Sequence, residues 1–371
     1  MNLWISLRRH CRRHPIDSVA SLVVMGLIGW AVWASGVWVF SAADWSVVHS
    51  NLPLFAVGSF PAPERWRPMV WFIALILCAL ATLTLPTTGR PGRWFRLILP
   101  WCWIMMIPLG VGLLAGGLGL TAVPSRAWGG LSLTLLLTIC SGALALPLGI
   151  LLALGRRSDL PVIRSFSRLY IDLMRAVPLI AVLFFGQLLI PLFLPVELEI
   201  NRVLRAIVAF ALFAAAYVAE DVRGGLQAIP ATQTEAAAAL GLSPLQSLQL
   251  VILPQTMRIA IPALTNQAIG LLQNTSLMAL LGLVELLGIG RSLLANPAFI
   301  GRHLEVYVWL GALYWLFCTA MALLARKLER SGPPSVAIPA DAFLVPDRSH
   351  ARCHRSPPRL QDLWSWPPRS R

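Results

Sequence analysis

Charge is the scarcest property of this chain. Only 12% of its 371 residues are Asp, Glu, Lys or Arg, whereas a soluble globular domain carries about 25%. Lysine is nearly missing, with Lys327 the single one among 30 basic residues. A phosphate-cradling loop needs Gly-Lys-Ser/Thr, and Lys327 stands between Arg326 and Leu328, so the usual nucleotide site is excluded. Cysteine is sparse too. Cys11, Cys78, Cys102, Cys140, Cys318 and Cys353 show no Cys-x-x-Cys spacing, and four of them lie in apolar runs. They read as small hydrophobes, not as a disulfide or zinc framework. His10, His14, His49, His303, His350 and His354 all fall outside the apolar runs, and no Ser/His/Asp set accompanies them. Hydrolytic and metal chemistry are therefore not expected.

What the chain has in quantity is apolar length. Hydrophobic residues make up 57% of it, with a mean hydropathy of +0.72. A helix crossing the hydrocarbon core needs roughly 20 mostly apolar residues. Eight stretches qualify, at approximately 19–40, 68–86, 97–120, 128–154, 170–194, 203–219, 260–285 and 305–325. The expected fold class is an all-α integral membrane protein with about eight transmembrane helices. A basic head at 1–18, containing Arg8, Arg9, Arg12 and Arg13, precedes the first span. That span reads as an uncleaved anchor, because it is too long for a signal peptide and Ser41-Ala42-Ala43 is a weak cleavage match. The net charge of +14 comes from arginines set between apolar runs. No soluble domain carries a nucleic-acid patch.

Basic residues concentrate on the cytoplasmic side of bacterial membrane proteins. With a cytoplasmic N-terminus and eight crossings, 23 of the 30 basic residues fall inside. The other seven, Arg65, Arg67, Arg126, Arg202, Arg205, Arg291 and Arg302, fall outside. Both termini are thus expected in the cytoplasm. Residues 331–371, rich in Pro, Arg and Ser, read as a disordered basic tail able to touch anionic lipid.

One connection, 220–258, is neither apolar nor disordered in composition. Thr232 followed by Glu235 has capping-box spacing, four alanines follow, and Gly241 is placed to end a helix. Ser243-Pro244 opens a second short helix, which Leu253-Pro254 is expected to stop. Alanines project little, so the first helix suits close docking against another surface as well as an ordinary surface loop.

Glu235-Ala236-Ala237, then Gly241, Val251 and Leu253-Pro254 resemble the cytoplasmic-loop signature of binding-protein-dependent ABC importer permeases, with Val251 in place of the usual isoleucine. Further segments resemble the polar amino-acid, or histidine/glutamine permease, subfamily. Gly130 to Leu135 resembles the start of its first core span. Tyr170 to Leu179, with Asp172 where glutamate is commoner, resembles its Tyr–acid–Arg–Pro-Leu segment. Gln273-Asn274-Thr275-Ser276-Leu277 with Glu285-Leu286 resembles the segment after the loop, with Gln273 where lysine is frequent. The resemblance covers about 128–330, a five-span core. The additional three-span extension at 19–127 looks like that of the larger permease subunit of general L-amino-acid importers in Gram-negative bacteria and cyanobacteria.

The resemblance implies a transport subunit of the bacterial inner membrane without cofactor or nucleotide site of its own. ATP would be used by a partner ATPase dimer, a second, different homologous permease chain would complete the pathway, and a periplasmic solute-binding protein would deliver an amino acid. It implies ATPase docking through Thr232, Glu235, Ala236, Ala237, Gly241, Leu253 and Pro254. An ion-gradient carrier, the competing reading, would favour paired intramembrane acids and inverted repeats, and neither is evident.

Polar groups inside apolar spans are expensive and face a cavity or another helix. Gln187, Asn266, Gln267, Gln273, Asn274 and Thr275 qualify, and their amides suit either an amino-acid substrate or interhelical hydrogen bonds. The pathway candidates are Gln187, Asn266, Gln273, Asn274 and Thr275. Asp172 and Arg175 read as an intrahelical pair, and Glu285 as a cap or structural partner. Trp38, Trp45, Trp66, Trp71, Trp128 and Trp309, near span ends, read as interfacial anchors.

Overall fold

The computed structural model describes residues 15–85, 89–117, 119–193, 195 and 200–330, so the head up to residue 14 and the tail 331–371 lie outside the described residues. The path is helical: α1 (Pro15–Val37, with a π turn at Trp38–Ala42), α2 (Ser46–Ser50), α3 (Leu52–Val57), α4 (Trp66–Thr84) and α5 (Gly89–Ala115). Then come α6 (Gly130–Arg156), α7 (Pro161–Ala176), α8 (Leu179–Phe184, continued by a π turn at Phe185–Leu189) and α9 (Arg202–Gln227). Two short helices, α10 (Ala231–Ala239) and α11 (Pro244–Ser247), precede α12 (Leu253–Asn274), α13 (Leu286–Leu294) and α14 (His303–Arg330). Among the described residues seven helices are long and apolar enough to cross a membrane, or eight if the bent pair α7–α8 counts as one.

The centre of the bundle is the antiparallel-free pairing of α6 with α9, two helices that start at the same end and run side by side. Small residues make it close. Ala206, Ala209, Ala214, Ala215 and Ala219 are buried on α9, and a Cβ built on Gly149 of α6 would fall 2.4 Å from Cγ1 of Val218. Without a hydrophobic driving force between helices in lipid, such backbone approach is what gains dispersion energy. By contrast α1 buries none of its span window against the rest of the chain.

Three expectations are corrected here. The span at 170–194 is not one helix: α7 and α8 meet at 104°. Val177, held extended (φ −90°, ψ 135°) by the proline that follows, cannot continue α7. The connection at 220–258 is much shorter than its charges suggest, because α9 runs on to Gln227 and α12 begins at Leu253. Hydropathy stops at Glu220, whereas helical hydrogen bonding continues wherever the charges find partners. Trp71 is no interfacial anchor. It is fully buried between α4 and α5, donates to the Met106 carbonyl at 3.0 Å, and rests where Gly110 leaves room for the indole.

The three-span extension is fastened to the rest of the bundle at the end away from Arg156 and Arg223. Val47, Val48 and Phe55 of α2 and α3 share a buried cluster with Leu286, Ile289 and Leu293 of α13 and with Val306 and Leu310 of α14. Asp44 forms an ion pair with Arg302 at 2.6 Å and donates its backbone N–H to Glu305 at 3.3 Å. The Ser46 backbone N–H, together with Arg302, holds the Asp44 carboxyl below the ordinary carboxylate range.

Candidate functional site

At the arginine-rich end of the bundle, α10 and α11 form a hairpin that projects from the helices. Pro230 caps α10 and its side chain supplies no hydrogen bond, so the Thr232–Glu235 capping box expected from spacing does not form. Proline fixes φ near the helical value and starts the helix before Thr232, which leaves that hydroxyl inside the first turn. The capping box sits instead at Ser243, whose Oγ accepts from the Gln246 backbone while the Gln246 side chain accepts from the Ser243 N–H. Gly241 behaves as expected. It takes φ +78°, the Leu242 N–H donates to the Ala237 carbonyl and the Gly241 N–H to Ala238. This paired bonding past a left-handed glycine sets the turn between the two helices.

Pro254 does not stop α11. The chain passes through a π turn at Leu248–Ile252 straight into α12, with proline in the first turn of the new helix. A proline there costs no hydrogen bond, and the wider π turn just before it takes up the register change. Leu253 and Pro254 therefore join the hairpin to the span rather than separate them.

The hairpin is held at its base and bare at its tip. A Cβ on Gly225 would fall 2.8 Å from the Thr256 carbonyl, so α9 and α12 touch through backbone. Gln255 donates to Gln233 Oε1 at 3.3 Å. Along α10 only Ala237 is buried; Thr232, Glu235 and Ala236 are exposed. Leu240 is 82% exposed, and Leu245 and Leu250 are exposed with it. The tip of the hairpin thus presents three leucine side chains to its surroundings.

Beside the hairpin lies a charged cluster that spacing alone does not reveal. Glu220 of α9 accepts from Arg223 Nε at 2.8 Å, pairs with Arg156 at the end of α6, and lies 3.7 Å from Arg175 of α7. Arg175 thus turns to Glu220, not to Asp172; Asp172 lies 4.0 Å from Arg156. The expected intrahelical pair is replaced because α9 offers a less exposed carboxylate to two helices at once.

The polar residues of the spans divide into two groups. Gln187 is buried and donates to the Arg202 carbonyl at 2.9 Å; Thr275 is buried and donates to Leu272 at 2.7 Å, where α12 tightens into a 3-10 segment. Asn266 and Gln273 are exposed on α12 and Asn274 is half-buried. Between them Gly270 has open space around its Cβ position. Gln273 also lies 3.8 Å from Cys318 Sγ of α14.

At the opposite end Glu285 caps α13, accepting from the backbone of Leu287 and of Gly288, each at 2.9 Å, and from Tyr314 Oη at 3.3 Å. Thr134 accepts from the Leu286 N–H at 3.1 Å. Gly130 takes φ +58° and leaves no space for a Cβ, which would fall 2.5 Å from the Phe55 carbonyl. Among the described residues no group of three or more His, Cys, Asp or Glu is placed to hold a metal ion.

Comparison with known proteins accounts for this assembly. Residues 145–331 match the family described as "Binding-protein-dependent transport system inner membrane component". The chain is 40% identical over 293 residues, 78% of each protein, to the inner membrane amino-acid ABC transporter permease protein YhdY of Escherichia coli K12. It is 33% identical over 343 residues to the glutamate/glutamine/aspartate/asparagine transport system permease protein BztC of Rhodobacter capsulatus, with 78% of this chain and 79% of that one covered. The glutamate/aspartate import permease protein GltK of Escherichia coli O6:H1 is 34% identical over 206 residues, which is 91% of its length and 54% of this chain. The chain belongs to the family of inner-membrane components of binding-protein-dependent transport systems.

Proposed function

We propose that this chain is the amino-acid-translocating permease subunit of an ATP-driven importer. It sits in a bacterial inner membrane with both termini in the cytoplasm. The carrying observation is the 40% identity, over 78% of both chains, to an amino-acid ABC transporter permease. The hairpin at 231–252 docks on a separate ATPase dimer, a second permease chain completes the pathway, and a solute-binding protein delivers the amino acid on the outer side. The exposed leucines and the glycine-set turn support the docking role. Asn266, Gln273 and Asn274 line the pathway, while Gln187 and Thr275, each bonded within its own bundle, support its walls. The permease moves substrate and performs no chemistry on it.

The test is uptake of radiolabelled amino acids by the purified complex in proteoliposomes. Glu235→Arg and Gly241→Pro should each abolish ATP-coupled uptake while the chain still inserts. Normal coupled uptake in both would refute the docking surface, and ATP-independent uptake driven by an ion gradient would refute the importer reading.

A further inference from the structure

We propose that Glu220 is the junction through which movement of the α10–α11 hairpin reaches α6 and α7, and so sets the angle of the broken span. This rests on the reading of that hairpin as the ATPase dock.

Glu220 lies near the end of α9, and only Ala228, Ile229 and Pro230 separate α9 from α10. Its carboxylate, 15% exposed, meets guanidinium groups from three helices: Arg223 of α9 itself, Arg156 of α6 and Arg175 of α7. Each of those arginines is more exposed than the acid they share. One carboxylate is therefore the counter-charge shared by three cations, and Asp172 beside Arg156 and Asp221 near Arg175 supplement it. Removal of Glu220 would leave them facing one another without the one acid that touches all three, an unfavourable arrangement. Asp172, 65% exposed and 4.0 Å from Arg156, is a weaker substitute.

The tie to α7 is reinforced from two sides. The Arg175 guanidinium lies 5.8 Å from the ring centroid of Tyr217 on α9, and Tyr170 of α7 donates to the Leu212 carbonyl of α9 at 2.7 Å. Arg175 stands two residues before the Val177–Pro178 break, beyond which α8 leaves at 104°. A shift of Glu220 thus moves the last turn of α7, and that turn carries the break. Further along, Gly186 of α8 faces α9 closely enough that a Cβ would fall 3.1 Å from Ala209. A hinge bounded by a fixed ion cluster at one end and a backbone-close contact at the other has few ways to respond except by changing its angle. The Gly225–Thr256 contact already serves α12. Glu220 supplies the corresponding connection to α6 and α7, making it a positioning residue for transport.

The experiment uses the complete complex, with ATPase and binding protein, in proteoliposomes, and reads ATP hydrolysed per amino acid imported. Glu220→Gln keeps shape and removes charge. It should raise that ratio about fivefold or more, the low end of the factor by which coupled sites usually bias one another, while the ATPase still copurifies. Glu220→Asp should restore most of the coupling. Arg175→Met, which cuts only the tie to α7, should raise the ratio by a smaller factor, and it substitutes for Glu220→Gln if that variant fails to insert. An unchanged ratio in Glu220→Gln or Arg175→Met overturns the proposal. So does a parallel loss of hydrolysis and uptake with dissociation of the complex, which marks a purely structural role. Glu235→Arg and Gly241→Pro are run alongside: normal coupled uptake in both removes the docking reading itself, whatever Glu220 does.

Discussion

Gly58 and Gly129 face each other with no room for a side chain, since a Cβ built on Gly58 would fall 2.5 Å from Cα of Gly129. Gly58 also has φ +64°, where L-residues are strained. Gly58→Ala should therefore destabilise the chain by about 2 kcal/mol or more, strain and overpacking acting together. Thermal unfolding in detergent measures it. An unchanged transition would mean that the extension is not seated on α6 as described.

Gly241 has a left-handed backbone but open space around its Cβ position. Gly241→Ala should cost only the conformational term, about 1 kcal/mol. Coupled uptake should fall partially, far less than for Gly241→Pro. Equal loss in the two variants would show that crowding, not backbone conformation, sets the turn.

Leu240 is 82% exposed. Leu240→Ser should change the stability of the isolated chain by no more than about 0.5 kcal/mol. Retention of the ATPase on affinity-purified complexes should nonetheless drop. Full retention would place the ATPase contact elsewhere.

Asp44 is held ionised by Ser46 and Arg302. A carboxyl whose folded pKa is lowered stabilises the fold above its unfolded pKa, and that contribution disappears as pH falls through the folded value. Wild type should thus melt slightly above Asp44→Asn by a constant margin from neutrality down to about pH 5, and the margin should shrink below about pH 4. A margin that grows on acidification would contradict the Asp44–Arg302 pairing.

Much of this architecture is legible in the sequence because lipid imposes one rule, that a span be long and apolar. The first four spans and the last follow it, with ends shifted by a few residues. The rule fails where another force outweighs hydropathy. Val177–Pro178 lies within an apolar run, yet backbone sterics bend it. Glu220 and Arg223 interrupt the apolar pattern, yet mutual neutralisation keeps them helical. Trp71 sits near a span end, yet Gly110, far along the chain, makes a slot for it. At the hairpin, Gly241 was readable because few residues suit a positive φ. The capping-box spacing of Thr232 fails because Pro230 starts the helix first. The Glu220 cluster joins residues from three helices, and no local spacing announces it.

The π turn at Leu248–Ile252 has a mechanical corollary. Because helix persists from Pro244 to Leu281, the exposed elbow at Leu245 and the amide of Gln273 belong to one connecting rod about 42 Å long. Between the two tips the rod is weakened only at the π turn and at Pro262, which lacks a backbone N–H inside the helix. On the proposed docking reading, displacement at the elbow should be followed by displacement at the Gln273 amide, and inserting a flexible glycine pair between them should uncouple the two.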